Sequence, residues 1–374
     1  MKKPIYLYII ITLSFFCCRE IAAQEDSRLL FSQKDITGLQ SKLTREPFSH
    51  MFEILKKRAA EPVYSEYEHV YYAINNSFLY TLTGENKFSD SALNSVLYLI
   101  NLDEWADDSF RSLGRAMYAK GVALAYDMCK KAWPLETDTL ISAKLIDMGE
   151  SLKRNGGKGW PEGPANNWRA VRFSGMGLCY LAADYLSDSL RQSEVNYAFG
   201  QVLTYFNANL SEEENSMGWN PEGVGYIIYP AEFWGLFNIA AGNIYPEKNF
   251  LDENPAVKHT LSTIYRGCVL MERDKDNKGY HPDFSDDNMA LGGSGVHGLA
   301  FKNTAEKYVP AFKWFYNRLV GLQGDKSFDS ERGGVVFSYL YYPAEIEEQN
   351  PESIFGLNYA DPVYGMFIFR NEYK

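Results

Sequence analysis

Cysteine and histidine are scarce in this chain of 374 residues, which has five of each. The cysteines beyond the N-terminal segment, Cys129, Cys179 and Cys268, are far apart, so neither a disulfide framework nor a zinc site is indicated. The chain also lacks His-Glu-x-x-His and a complete Gly-x-Ser-x-Gly elbow, which argues against a zinc protease and an α/β-hydrolase. We therefore expect neither a bound metal nor a cofactor.

An excess of basic residues is absent as well. Lys and Arg number 37 against 48 Asp and Glu, giving a net charge of −11, so nucleic acid is not expected as a partner. A hydrophobic content of 46% excludes disorder as the main state. Downstream of the N-terminus no stretch approaches the roughly 20 apolar residues of a membrane span, so none is expected.

Residues 1–24 have the pattern of a secretory signal peptide. Lys2 and Lys3 precede an apolar stretch over residues 6–16, and Ala22-Ala23 supplies the small residues of a cleavage site. Cys17 raises the alternative of a lipoprotein, but the bulky Phe16 precedes it, so cleavage near Ala23 is favoured. The sequence therefore predicts a periplasmic or secreted protein.

Most of the chain after Lys34 shows the apolar periodicity of amphipathic helices. Leu113, Met117, Leu124 and Met128 recur at helical spacing, and residues 171–186 follow the same period. Further helices are predicted over residues 34–60, 65–83, 88–101, 137–154, 193–208, 230–242, 254–272 and 302–320. About ten helices joined by short loops form an antiparallel helical array.

The helices pair at roughly 40 to 50 residues without a fixed-length motif, which favours an all-α fold of the α/α toroid type, an incomplete helical barrel, over a solenoid. We place this toroid domain at residues 25–322. Beyond it, residues 335–342 and 366–370 are strand-like runs. Residues 323–374 are interpreted as a linker and strand-like segment leading to a β-sandwich absent from this chain. The last run is expected to pack back on the toroid, pair with residues 335–342 or mediate association.

A Gly- and Pro-rich loop over residues 156–164 leads into a helix that starts near Asn166 and Asn167. Basic residues outnumber acidic ones between positions 153 and 172, which indicates a local anion site. The alternative is that one of the two asparagines caps the helix while Trp168 packs beneath it.

A second loop contains Gly218, Gly223 and Gly225 and is followed by Tyr226 and Tyr229. A spacing of three places both phenols on one helix face if the helix has begun. Such an aromatic pair in isolation is more often part of a core than of a catalytic site.

Two other loops resemble known ligand motifs only in part. Residues 274–288 begin like a calcium loop, but Lys278 and Ser285 stand where an oxygen ligand and a Glu are required. Residues 293–298 match Gly-x-Gly-x-x-Gly, yet neither a βαβ pattern nor a downstream acidic residue accompanies them. Calcium and dinucleotide binding are therefore not expected.

The Asn-Asn-Trp-x-x-Val start at residues 166–171 and the Pro-Glu-Gly-x-Gly-Tyr-x-x-Tyr segment at residues 221–229 together resemble the heparinase II/III-like polysaccharide lyases, which are related to toroid alginate lyases. Residues 283–286 and 367–371 are similar to segments that precede and enter the β-sandwich of that family. The resemblance covers most of residues 30–374. It implies a lyase that cleaves an acidic, uronate-containing polysaccharide by β-elimination.

Such an elimination needs donors that neutralise the C6 carboxylate, a base for the C5 proton and an acid for the departing O4. The resemblance implies that Asn167 neutralises the carboxylate and that Tyr226 is the base or acid. Tyr229 is the second choice for that role, and Asn166 is an alternative to Asn167. The family's sandwich supplies a further His, for which His281 and His297 are the nearby candidates here.

Substrate contacts are expected from a larger set: Asn166, Arg169, Arg172, Trp160, Trp168, Trp219, Glu222 and His281. Two other functions stay open. A toroid glycoside hydrolase would use Glu222 with Asp283 or Asp286. A non-catalytic glycan-binding protein would stack sugar rings on the tryptophans of this set.

Overall fold

The computed structural model describes residues 29–102, 112–154, 163–211, 213, 215–267, 295–321, 327–329 and 331–373. Within these ranges the chain forms fifteen α-helices and one two-stranded sheet. The elements are α1 (Ile36–Ser41), α2 (Phe48–Ala59), α3 (Glu66–Thr83), α4 (Asn86–Ile100), α5 (Ser112–Cys129), α6 (Leu135–Arg154), α7 (Asn167–Ala182), α8 (Asp188–Asn209), α9 (Gly225–Ile244), α10 (Phe250–Glu253), α11 (Val257–Gly267), α12 (Val296–Ala300), α13 (Val309–Leu319), α14 (Gly334–Tyr341), α15 (Glu352–Phe355), β1 (Asn358–Asp361) and β2 (Met366–Phe369). The prediction of an all-α fold with a short C-terminal β segment is confirmed.

Six of the described helices form an inner ring. Each contacts the next in the order α3, α5, α7, α9, α12 and α14. The ring closes because α14 and the 3₁₀ turn Glu331–Gly333 both contact α3. The helices α2, α4, α6, α8, α11 and α13 alternate with them along the chain and pack outside. The arrangement is that of an α/α toroid whose inner ring closes on itself.

The inner helices run parallel to one another, because an outer helix returns the chain before each new inner helix begins. Glycines allow their close approach: Gly121 on α5 lies against Val70 on α3, and Gly175 on α7 lies against Ala116 on α5. The N-terminal ends of the inner helices therefore share one end of the ring, which we call the N-terminal mouth. The positive ends of the helix dipoles point toward this mouth.

Residues 29–41 cover the opposite end of the ring. The Leu29 amide donates to Asp127 Oδ2 at 3.0 Å, and Asn243 Nδ2 donates to the Leu29 carbonyl at 2.9 Å. Tyr341 OH donates to the Leu30 carbonyl at 3.3 Å, and Tyr339 OH donates to the Leu39 carbonyl at 2.9 Å. We call this end the sealed end.

The strand predicted over residues 335–342 is wrong, because Gly334–Tyr341 is the helix α14. Its β-branched and aromatic side chains are buried from Gly334 to Tyr339, so the apolar run has no polar face to reveal a helical period. Gly333, at φ +74°, starts the helix from a left-handed conformation that favours glycine. The inner ring thus includes a helix beyond residue 322, where the sequence analysis ended the toroid.

The final apolar run does form a strand, but its partner is β1, with Ala360 opposite Phe367. Pairing with residues 335–342 is therefore wrong. The hairpin packs back on the helical body, where Asp361 Oδ2 accepts hydrogen bonds from the amides of Met217 (3.0 Å) and Trp219 (3.1 Å). Phe369 of β2 is 76% exposed. Association through this strand stays a prediction.

One predicted helix, residues 34–60, is divided into the 3₁₀ turn Gln33–Asp35, α1 and α2. Pro47 lies at the start of α2, where its missing amide proton costs no helical hydrogen bond. The signal peptide and the calcium-like loop lie outside the described residues, as does the end of the helix predicted over 254–272. No described helix is both long and apolar enough to cross a membrane.

Candidate active site

The two asparagines at the start of α7 have different environments. Asn166 is the N-cap, and its Oδ1 accepts a hydrogen bond from the Trp168 amide at 2.8 Å. Asn167 is the first helical residue and only 6% exposed, yet no described residue hydrogen-bonds its side-chain amide. Since the capping role belongs to Asn166, the amide of Asn167 is available at the N-terminal mouth.

The loop before α9 depends on glycine. Gly218 has φ +78°, and a Cβ there would lie 2.6 Å from the Thr260 amide nitrogen. Asn220 Oδ1 accepts a hydrogen bond from the Glu222 amide at 2.9 Å. This bond shapes the turn that precedes the helix. Because α9 begins at Gly225, Tyr226 and Tyr229 both lie in its first turns and share a face.

Tyr229 is held as a neutral phenol. Burial raises its pKa most, the nearby Glu232 carboxylate and Tyr67 raise it further, and Arg332 opposes them. Its ring packs edge-on against Phe233 with the centroids 5.8 Å apart. No described residue hydrogen-bonds its hydroxyl, which can therefore serve as a proton donor to a bound molecule.

A buried ion pair lies among the residues around Tyr229. Lys120 of α5 and Glu232 of α9 form a short salt bridge, and neither side chain is exposed. In the ring α7 lies between these two helices, so the pair ties non-adjacent inner helices. Lys120 Nζ also lies 4.9 Å from the Phe233 ring centroid and 5.7 Å from that of Tyr71. We call Lys120, Glu232, Phe233 and Tyr71 the lumen floor.

Arg332 brings a positive charge to the same region, since it acts on the pKa of both Tyr71 and Tyr229. Its φ of +51° is unusual for a residue with a side chain and marks local strain. Arg332, Tyr71, Asn75 and Glu68 line a cavity of about 300 Å³ beside α3.

The sequence analysis missed Lys120, Glu232 and Arg332. A signal existed for the first two, because each is a single charge within an otherwise uncharged helical run: residues 116–126 for Lys120 and 226–237 for Glu232. Charges in such a position are buried only when paired. No comparable pattern marks Arg332.

The basic residues expected to form an anion site are held largely by protein partners. Lys153 Nζ lies 2.7 Å from Glu194 Oε2, and Arg169 donates to Gln201 on α8. Arg172 is buried, donates to the Leu152 carbonyl at 3.1 Å and stacks on Phe173. The described contacts thus assign Arg169 and Arg172 to helix packing.

Trp219 is 5% exposed and packs against Tyr359 of β1, so its indole offers almost no face to a sugar ring. Trp168 is half-buried, and Glu222 is half-buried on the loop before α9. Trp160, His281, Asp283 and Asp286 lie outside the described residues.

His297, at the start of α12, is buried, with its Nδ1 2.9 Å from Tyr265 OH, as in a core histidine. Burial raises the pKa of the thiols of Cys129 and Cys179, which disfavours nucleophilic thiolates; Cys268 lies outside the described ranges. Across the described chain no three His, Cys, Asp or Glu side chains cluster as metal ligands.

Neither the known protein-family models nor the curated protein sequences give a match to this chain.

Proposed function

We propose that this chain is an exported polysaccharide lyase that cleaves a uronate-containing polymer by β-elimination, as its resemblance to the heparinase II/III-like lyases implies. The observation that carries the proposal is the placement of Asn167, Tyr226 and Tyr229 on the first turns of α7 and α9. These are neighbouring inner helices that begin at the same N-terminal mouth.

The mouth suits a carboxylated substrate. The N-terminal ends of the parallel inner helices contribute partial positive charge, and Arg332 adds a full charge nearby. Asn167 would donate its amide hydrogens to the C6 carboxylate, which neutralises it and acidifies the C5 proton. These local groups offset the acidic charge of the whole chain.

The two tyrosines would divide the proton transfers. Tyr229 donates a proton to the departing O4, because its surroundings keep the phenol protonated. Tyr226 receives the C5 proton, because it lies nearer the α9 N-terminus, where the helix dipole stabilises negative charge. The C5–H and C4–O4 bonds break, a C4=C5 double bond forms, and no water is consumed.

Mass spectrometry of the products tests this proposal. A lyase yields a new non-reducing end that is lighter by one water molecule than the hydrolysis product. Purified protein would be incubated with hyaluronan, heparan sulfate, alginate and polygalacturonate. We expect dehydrated oligosaccharides from at least one polymer. Fully hydrated fragments would support the hydrolase instead, and binding without fragments would support a glycan-binding protein.

We also propose a periplasmic or secreted location, based on the signal-peptide pattern of residues 1–24. Expression of the full chain in a Gram-negative host followed by N-terminal sequencing tests it. We expect the exported form to begin at Gln24 or next to it, whereas a chain that keeps Lys2 and Lys3 in the cytoplasm would contradict it.

A further inference from the structure

An open cavity lies at the sealed end, away from the N-terminal mouth. It has a volume of about 860 Å³ and is lined by residues 30–42, the C-terminal half of α9, the loop that follows it, Lys302 and the end of α14. This size falls within the roughly 300–1,000 Å³ of typical small-molecule sites. The cavity is therefore large enough for a small-molecule ligand.

The described lining is basic although the chain is acidic. Lys34, Lys42, Lys248 and Lys302 line it, and Asp35 is the only carboxylate among the described lining residues. The Asp35 carboxylate is already hydrogen-bonded within the protein. Its Oδ2 accepts hydrogen bonds from the amide and hydroxyl of Ser32 at 2.8 and 2.7 Å.

None of the four lysines forms an ion pair with a described carboxylate, and two of them are held in place without being neutralised. Lys42 Nζ lies 4.8 Å from the ring centroid of Phe48, and Lys248 Nζ lies 5.1 Å from that of Phe199. Burial and the neighbouring Arg45 lower the pKa of Lys42, a cost that a bound anion would relieve.

The polar groups around the lysines favour a sugar over a compact anion. Asn238 Oδ1 accepts the Phe250 amide at 2.8 Å, and its Nδ2 donates to Asn249 Oδ1 at 3.3 Å, which fixes the loop carrying Lys248. The helices α9 and α14 end here, so their terminal carbonyls bring partial negative charge. Such carbonyls accept hydrogen bonds from hydroxyl groups but repel a dense charge such as phosphate.

We propose that the cavity at the sealed end is a second, non-catalytic site that binds an acidic oligosaccharide, with its carboxylates on Lys42 and Lys248 and its hydroxyls on the terminal helix carbonyls. The site does not depend on catalysis at the N-terminal mouth. It would retain a polymer chain or a released product on the opposite face of the toroid.

Isothermal titration calorimetry with tetragalacturonate tests the site. The titration uses the Tyr226→Phe/Tyr229→Phe background, so that turnover does not contribute heat. Adding Lys42→Gln and Lys248→Gln should remove one binding site per chain, or weaken it roughly 100-fold, since each lost contact to a charged group is worth about 1.5 kcal/mol or more. The charge-matched control adds Lys56→Gln and Lys144→Gln, which are exposed lysines paired with Glu53 and Asp147.

We expect the control to bind like its background, cellotetraose not to bind the sealed end, and Lys42→Gln/Lys248→Gln alone to leave turnover unchanged. Equal affinity and stoichiometry in the lysine variant and its control would overturn the proposal. Equal binding of cellotetraose, or saturation of the site by inorganic sulfate at the same affinity, would also overturn it. Failure of the lyase proposal is distinguishable, because the mouth would then contribute no turnover while the lysine-dependent site still titrates.

Discussion

Asn166 and Asn167 are chemically identical neighbours, but the start of α7 gives them separate tasks. The Asn166 side chain satisfies the Trp168 amide, which otherwise lacks a partner in the first turn. The Asn167 side-chain amide makes no hydrogen bond to a described residue. A pair of matched alanine substitutions can therefore separate capping from the proposed catalytic role.

Asn167→Ala should lower kcat far more than it raises KM, because the amide acts on the carboxylate as charge develops in the transition state. Asn166→Ala should instead cost about 1 kcal/mol of unfolding free energy and leave kcat nearly unchanged. Steady-state kinetics beside thermal melting measures both. A destabilised Asn167→Ala variant with normal kcat would refute the catalytic role.

For the tyrosines, Tyr226→Phe and Tyr229→Phe should each reduce turnover by roughly 10²–10⁴-fold with folding intact. The pH profile distinguishes the two roles. An acid must be protonated, and the pKa of Tyr229 is raised above 10.0, so its activity is lost only as pH rises through that higher value. The alkaline limb of kcat should therefore lie above pH 10.0. Full activity in both variants would sink the tyrosine mechanism.

At the scale of elements, α7 packs directly against α9, and the first turns of these two helices carry Asn167, Tyr226 and Tyr229. Gly177 on α7 lies close against α9, because a Cβ there would lie 2.2 Å from the ring of Phe237. Gly177→Ala should cost about 1–3 kcal/mol through overpacking. Urea denaturation would measure this loss.

The matched control is Gly200→Ala on the outer helix α8, where a Cβ would meet nothing within 4 Å. It should be neutral or stabilise the protein by about 0.5–1 kcal/mol, because alanine favours helix more than glycine does. If the two variants had equal stability, the close packing of α7 on α9 would be incorrect.

The sequence pattern was sufficient where a helix has two unlike faces, as over residues 88–101, or where the apolar run is too long for a strand. The structure accordingly contains α4, which buries Ala92, Val96 and Leu99 on one side, and the long helices α5 and α7, which are buried nearly throughout. The pattern failed at α14, since a helix buried on every side has the same apolar run as a buried strand. For the site, local spacing predicted that Tyr226 and Tyr229 share a face. The Lys120–Glu232 pair joins residues far apart in sequence, which only ring closure brings together.

At the scale of the whole molecule, the lumen floor ties α5 to α9 across the ring. Lys120→Met would leave the Glu232 carboxylate buried without its partner and should cost roughly 3–5 kcal/mol of unfolding free energy. The double variant Lys120→Met/Glu232→Leu should recover most of that loss, because neither buried group is then charged. Urea denaturation of both variants and the parent checks this. Additive losses in the double variant would contradict coupling between the two residues.

The toroid also explains why the residues predicted from separate motifs lie at one end of the ring. Parallel inner helices place the starts of α7 and α9 at one mouth, while residues 29–41 cover the other. A shared mouth with parallel helix dipoles is a property of the ring, and the positive ends of these dipoles favour anions at that end of the molecule.

The near-ultraviolet absorbance of the unsaturated uronide, followed over time on a panel of uronic-acid polymers, tests the central claim most directly. The parent protein should generate that absorbance from at least one polymer. The Asn167→Ala/Tyr226→Phe/Tyr229→Phe variant, folded by circular dichroism, should generate none. Equal rates for the parent and the folded triple variant would contradict the assignment of the N-terminal mouth as the active site, and no absorbance from any polymer would contradict lyase activity itself.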